Sequence, residues 1–157
     1  MKKIVIQPAQ QLSIKRKEEI FRLWNSEYPQ KLSYTGLNEL TQYLNALKDH
    51  NYFLLLDEKK DINGLYFDFL REGEKWFAIL INRSVQNLGF GTLLLDHAKE
   101  LRQELSAWVI DHNEDLKNDG TPYISPLPFY LKKGFTILPE VRFETEQLSA
   151  VKIKWKK

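Results

Sequence analysis

The stretch WFAILINRSVQNLGFGTLLLDHAKEL, from Trp76 to Leu101, changes its hydrophobic period partway along. Trp76 to Ile81 is an unbroken run of apolar, aromatic and β-branched residues of strand length. From Thr92 to Leu101 the apolar residues Leu93, Leu94, Leu95, Ala98 and Leu101 recur at helical spacing. A buried strand therefore feeds a helix, and the chain turns between them at Gln86-Asn87-Leu88-Gly89-Phe90-Gly91-Thr92. Two glycines at that junction let the backbone bend tightly and approach a ligand closely. Free amides in the first turn of the helix, together with its dipole, suit an anion such as a phosphate. The same glycines can also serve the turn alone. A dinucleotide fingerprint would need a third glycine where Leu94 stands, and a Walker loop would need GK[ST], which is absent.

A second motif, Pro128-Phe129-Tyr130-Leu131-Lys132-Lys133-Gly134-Phe135, follows the next apolar strand. QxxGxG after one strand and FYxKxGF after another resemble motifs A and B of the GNAT superfamily, the acetyl-CoA-dependent N-acetyltransferases. The resemblance spans roughly Tyr52 to Thr136. It implies a mixed α/β (α+β) fold over a single domain, residues 1–157, with about seven strands and four helices. It also implies acetyl-CoA as acetyl donor and direct transfer, in a ternary complex, to a primary amine of a small molecule or peptide. A coenzyme A-binding sensor or interaction module without turnover is the alternative.

By this resemblance the cofactor contacts are Ile79, Ile81 and Asn82 at the end of the strand, Gln86, Asn87, Leu88, Gly89, Gly91 and Thr92 in the turn, and Tyr130. Gln86 stands where many relatives have arginine, so the turn relies on neutral donors and the helix dipole. The backbone at Ile79 and Ile81 would pair with the pantetheine arm where two parallel strands splay, and an amide there would polarise the thioester carbonyl. Tyr130 matches a tyrosine that donates a proton to the departing thiolate, and a phenol has a suitable pKa. A buried aromatic between Phe129 and Phe135 is the plainer reading of the same residue. Asp111 is the first candidate for a general base, with Asp68, Glu74 and His112 behind it. The N-terminal helices would wall the acceptor site, which makes Glu27, Tyr28 and Tyr34 substrate contacts alongside Asp68 and Asp111, although either tyrosine can equally be a packing residue. Such acids in one cleft would favour a cationic, polyamine-like or lysine-like acceptor.

Read in order, the chain opens with a β-like run from Lys3 to Gln7, ended by Pro8. A helix follows from a cap at Ser13 to a stop at Pro29, and a second runs from about Gly36 to Lys48. Strands at Tyr52–Leu56, Ile62–Leu70 and Lys75–Ile81 have short polar connections and form hairpins. Ala107–Asp111 follows the helix as a parallel strand with a right-handed crossover. His112 to Ser125 is a polar loop, longer than the family usually has here. A short helix over Pro126–Lys133, closed by Gly134, leads into strands near Phe135–Leu138, Val141–Glu146 and Ala150–Trp155, the last half-exposed by its alternation.

Composition narrows the remaining possibilities. The 157 residues are 43% hydrophobic and 28% charged, ordinary for a globular domain. A net charge of +2 does not argue for nucleic acid. Lys15-Arg16-Lys17 and the lysines at 152, 154, 156 and 157 read as solvated faces, although the last group with Trp155 also carries a minor nucleic-acid reading. No cysteine is present, which removes disulfides and thiol nucleophiles. His50 and His97 lack ligand spacing, so no metal is expected, and His97 is placed on the helix surface. No apolar run approaches the roughly 20 residues of a membrane span. No membrane partner is therefore expected, and a cytoplasmic location is the default. The exposed final strands make a homodimer plausible.

Overall fold

Apolar runs of strand length, interspersed with amphipathic helices, dictate a sheet covered on both faces. The computed structural model describes residues 3–157. In order, its elements are β1 (Val5–Ala9), α1 (Ile14–Glu27), α2 (Leu37–Ala46), β2 (Lys48–Leu56), β3 (Ile62–Arg71), β4 (Glu74–Ile81), α3 (Phe90–Leu101), β5 (Glu104–Ile110), α4 (Leu127–Lys132), β6 (Thr136–Glu144) and β7 (Ser149–Lys156). Among the described residues the strands form one sheet in the order β1-β2-β3-β4-β5-β7-β6. Neighbouring strands are antiparallel except β4 and β5, which are parallel.

Side chains alternate between the faces of a strand, so the central strands, buried on both sides, supply two cores. Ile20, Leu23 and Trp24 of α1 and Leu40 and Leu44 of α2 pack on Leu54, Leu65, Phe67 and Leu80. On the opposite face Leu94, Leu95 and Ala98 of α3 and Tyr130 of α4 pack on Leu55, Tyr66, Phe77 and Val109. Helix α1 starts where the Ser13 side chain accepts from the Arg16 amide at 3.2 Å. Gly134, at φ +87°, turns the chain out of α4. No helix among the described residues is long and apolar enough to cross a membrane.

Three boundaries differ from the sequence reading. β1 continues through Pro8, which sits opposite Phe53 on an edge strand, where a missing N–H is tolerated. β2 begins at Lys48, because an irregular register between Lys48 and Asn51 lets polar residues join the ladder where periodicity sees only a loop. The two segments expected around Leu138 and Val141 are one strand, β6, with a register shift between Leu138 and Arg142. His97 is also displaced from its expected place: it is half-buried, edge-on to Phe53 at 4.8 Å, with Nε2 enclosed and without a hydrogen-bond partner.

The lysines of β7 are not a simple solvated face. Lys152 and Lys154 donate to Glu74 at 2.7 and 2.5 Å, and Lys152 lies over the Trp76 ring. These hydrogen bonds hold the Glu74 carboxyl down at about 2, from an ordinary 4.5. A depressed carboxyl stabilises the fold above its unfolded pKa, and that contribution is lost as pH falls through the folded value. Glu74→Gln should therefore be less stable than the natural protein near neutral pH, and the gap in denaturant midpoints should close between pH 4.5 and about 2. A gap independent of pH would remove Glu74 from this role.

Candidate active site

β4 and β5 share a single registered pair, Trp76 with Ser106, and beyond it they part. The parting leaves a wedge at the ends of both strands. At its mouth Asn82 caps a short 3₁₀ turn, Arg83–Val85, by accepting from the Ser84 amide at 2.9 Å, and buried Val85 anchors the turn. The chain then reverses through Asn87 at φ 62° and Gly89 at φ 88° into α3. Gly89 is the N-cap and offers no side chain, so the first-turn amides of α3 have no side-chain acceptor at the cap. Gly91 faces α4, where an added Cβ would lie 3.4 Å from the Phe129 ring.

These parts wall a cleft of about 590 Å³. Ile79, Leu80 and Ile81 contribute the strand side, Val85 to Asn87 and Gly89 to Thr92 the turn, and Phe129 and Tyr130 the α4 side. The far wall is the end of α1, Glu27 and Tyr28, together with Lys117, Pro122, Tyr123 and Ile124 from the polar loop after β5.

That loop is fastened in place. Gln30 donates its amide to the Leu116 carbonyl at 2.8 Å, and the Asn118 side chain reaches the Asn25 carbonyl and Ser33 Oγ, each at 2.6 Å. Asp119 pairs with Arg83, and Lys117 pairs with Glu27 at 3.1 Å. Glu27 is 5% exposed and fully engaged. Its Oε1 accepts from Lys117 Nζ at 3.1 Å and Gln86 Nε2 at 3.3 Å. Its Oε2 accepts from the Arg83 amide at 3.2 Å and from Arg83 Nε at 3.3 Å, while the single Ser26 hydroxyl hydrogen is shared between Oε2 at 3.3 Å and the Leu23 carbonyl at 3.1 Å.

Three phenols meet on this cleft. Tyr130 is buried and packed edge-on against Phe77, Phe129 and Phe135 at 5.8, 5.1 and 5.4 Å. Burial, and then Tyr123, push its pKa up. Tyr123 is pushed up to about 12 by burial and then Asp115, and Tyr28 rises by burial and then Tyr123 and Tyr130. All three keep their protons at neutral pH.

Of the residues singled out from sequence, Glu27, Tyr28, Ile79, Ile81, Gln86, Asn87, Gly89, Gly91, Thr92 and Tyr130 line this one cleft. The others lie elsewhere. Leu88 points its side chain outward, 63% exposed, and the Asn82 carbonyl oxygen is spent on its cap. Tyr34 packs on Trp24 and Tyr43. Asp68 is fully buried on the α3 face of the sheet, held by Arg102 at 2.7 Å and the Tyr66 hydroxyl at 2.7 Å, and is closed to an acceptor. Asp111 is gripped by both ends of the Arg142 guanidinium at 2.9 and 3.0 Å, which holds its carboxyl below the usual range and makes it a poor base. Glu74 is held by its lysines, and His112 Nδ1 accepts from the Glu114 amide at 3.1 Å. The Gln86 side chain turns to Glu27 and the Ile81 carbonyl, so the turn presents backbone amides. Lys117 and Tyr123 were missed from sequence. The length of their loop was the only signal, and it named no residue.

Compared by sequence, the chain matches no protein-family model and no curated protein. Compared by structure, it resembles an aminoglycoside 6'-N-acetyltransferase complexed with coenzyme A, with a TM-score of 0.71 at 12% identity over 97% of this chain and 96% of that one. A GNAT superfamily phosphinothricin acetyltransferase from Sinorhizobium meliloti, in complex with AcCoA, superimposes with a TM-score of 0.68 at 12% identity over 98% and 88%. A spermidine/spermine N-acetyltransferase from Vibrio cholerae gives 0.66 at 16% identity over 98% and 92%. The chain thus has the fold of the GNAT acetyltransferases.

Proposed function

We propose that the protein is a GNAT-superfamily N-acetyltransferase that takes its acetyl group from acetyl-CoA and passes it directly to a primary amine. One observation carries the reading: the Gly89 turn at the head of α3, the parted ends of β4 and β5, and the Tyr130 phenol all open onto one cleft. Backbone amides of the turn and the α3 dipole suit a pyrophosphate. The wedge between the strands suits an extended arm that borrows their unpaired backbone groups. The solved structures of this fold that contain coenzyme A or AcCoA support the same donor.

In the reaction the amine nitrogen lone pair attacks the thioester carbonyl carbon, and backbone amides stabilise the oxyanion. Collapse breaks the C–S bond, Tyr130 gives its proton to the thiolate sulfur, the new ammonium loses a proton to solvent to leave an amide, and solvent returns a proton to the Tyr130 phenolate. Every carboxylate considered as a base is engaged by cations. The amine therefore sheds its proton to solvent before attack.

A thermal melt tests the donor. Acetyl-CoA at about a hundred times its dissociation constant should stabilise the fold by roughly 2.7 kcal/mol, several degrees at this size, with no shift from NADH or ATP. Gly91→Glu should abolish the shift, since its carboxylate would stand against Phe129 and the phosphates. No shift, or equal shifts from all three ligands, would overturn the assignment. A shift without product from any amine would leave a coenzyme A-binding module.

A further inference from the structure

Resting on the acetyltransferase reading, we propose that the acceptor is a monoamine that also bears a carboxylate, recognised by Lys117, and that polyamines are not the substrates. The hydrogen bonds around Glu27 lead there. A carboxylate offers about four lone-pair sites, and Glu27 receives four N–H donors, one each from Lys117 and Gln86 and two from Arg83. It has nothing left for an ammonium. Asp68 and Asp111, the other acids that would have attracted a polycation, lie off the cleft and are bound by Arg102 and Arg142.

Lys117 is in the opposite condition. An ammonium has three donors, and the hydrogen bond of Lys117 Nζ is the one to Glu27. Its side chain is 14% exposed and lines the cleft. The unspent hydrogen-bonding capacity of this wall is therefore donating. An ammonium, itself only a donor, would find no free acceptor on Glu27, whereas a carboxylate would gain charge-assisted hydrogen bonds from Lys117 in a partly dehydrated site. The Tyr28 and Tyr123 hydroxyls, both protonated at neutral pH, can donate to the same anion. Tyr123 and Ile124 give the wall an apolar body on which the rest of a small amine can lie.

The anion met by Lys117 has two possible sources, the acceptor or the donor, and the experiment separates them. Initial rates of thiol release would be measured with the full chain, saturating acetyl-CoA and matched amines: phenylalanine against phenethylamine, norleucine against pentylamine, and spermidine. The carboxylate-bearing member should have the higher kcat/KM, by about tenfold or more, with spermidine poorest. Amine basicity differs within each pair, so the deciding comparison is Lys117→Met, which should remove the preference by lowering kcat/KM for the carboxylate member, while Lys117→Arg keeps it. The KM for acetyl-CoA should stay within about twofold in both variants. A preference for spermidine or for the amines without carboxylate, or a preference that survives Lys117→Met, would overturn the proposal. So would a weakened hold on acetyl-CoA in Lys117→Met with an unchanged acceptor preference, which would assign the lysine to the donor. Acetyl-CoA binding without turnover of the carboxylate amines would overturn this proposal and spare the donor reading. Failure to bind acetyl-CoA would overturn both.

Discussion

Asp68→Ala should destabilise the protein by about 3–5 kcal/mol, the cost of removing one partner from a buried ion pair. Asp68 has no exposed surface, and its carboxylate takes four hydrogen bonds, two from Arg102, one from the Tyr66 hydroxyl and one from Asn51. Truncation leaves a largely buried guanidinium and a buried phenol without their acceptor. At this chain length the loss corresponds to a fall in Tm on the order of 10 °C. Removing both charges, in Asp68→Ala with Arg102→Met, should be less harmful than Asp68→Ala alone, because the second change takes away the orphaned cation. Urea unfolding of the three proteins measures this directly. A loss below about 1 kcal/mol, or a double variant worse than the single one by the full cost of Arg102→Met, would show that the pair is not coupled in this way. The folded fraction of Asp68→Ala should still bind acetyl-CoA, since none of Asp68, Tyr66, Arg102 and Asn51 lines the cleft.

That Asp68 serves the core while Tyr130 lines the cleft shows what a sequence can and cannot disclose. Strand and helix periods, the glycines of the turn and the Phe129 to Phe135 motif are local signals, and they located the sheet, α3, α4 and the cleft-lining turn. Charge pairing is non-local. Arg102, just past α3, finds Asp68 on β3, Arg142 on β6 finds Asp111 past the end of β5, and Lys152 and Lys154 on β7 reach across β5 to Glu74 on β4, so each pair is made only by the folded sheet. An aspartate at the end of a strand looks the same in sequence whether it is bare or gripped by arginine, so the sequence groups Asp68 and Asp111 with Glu27, and of the three Glu27 alone lines the cleft. The loop after β5 posed the same difficulty. Its turns were legible, but its docking on α1 through Asn118 and Lys117 depends on α1 ending in a buried glutamate. β6 was divided in two because Pro139 and the irregular register interrupt the pattern that marks a strand.

Tyr130→Phe should lower kcat by roughly a hundredfold, at the low end of what a positioned proton donor contributes, with little change in the Kd for acetyl-CoA. The ring itself is a packing element, held between Phe77, Phe129 and Phe135, and phenylalanine preserves that packing. Stability should accordingly change little, so a loss of rate cannot be ascribed to unfolding. Burial raises the Tyr130 pKa, which keeps the phenol protonated and able to donate throughout the neutral range, and its titration should not shape the rate profile there. Tyr123 supplies the internal control, because it is a half-buried phenol on this cleft and the neighbour that most raises Tyr130 after burial itself. If Tyr130 is the acid, Tyr123→Phe should leave most of kcat in place and act mainly on the KM of the acceptor. If Tyr123→Phe instead suffers the large loss while Tyr130→Phe turns over normally, the proton comes from the loop and α4 serves only to hold the site. Should both variants keep full turnover, the thiolate leaves unprotonated and is quenched by solvent, and the phenols are there for shape.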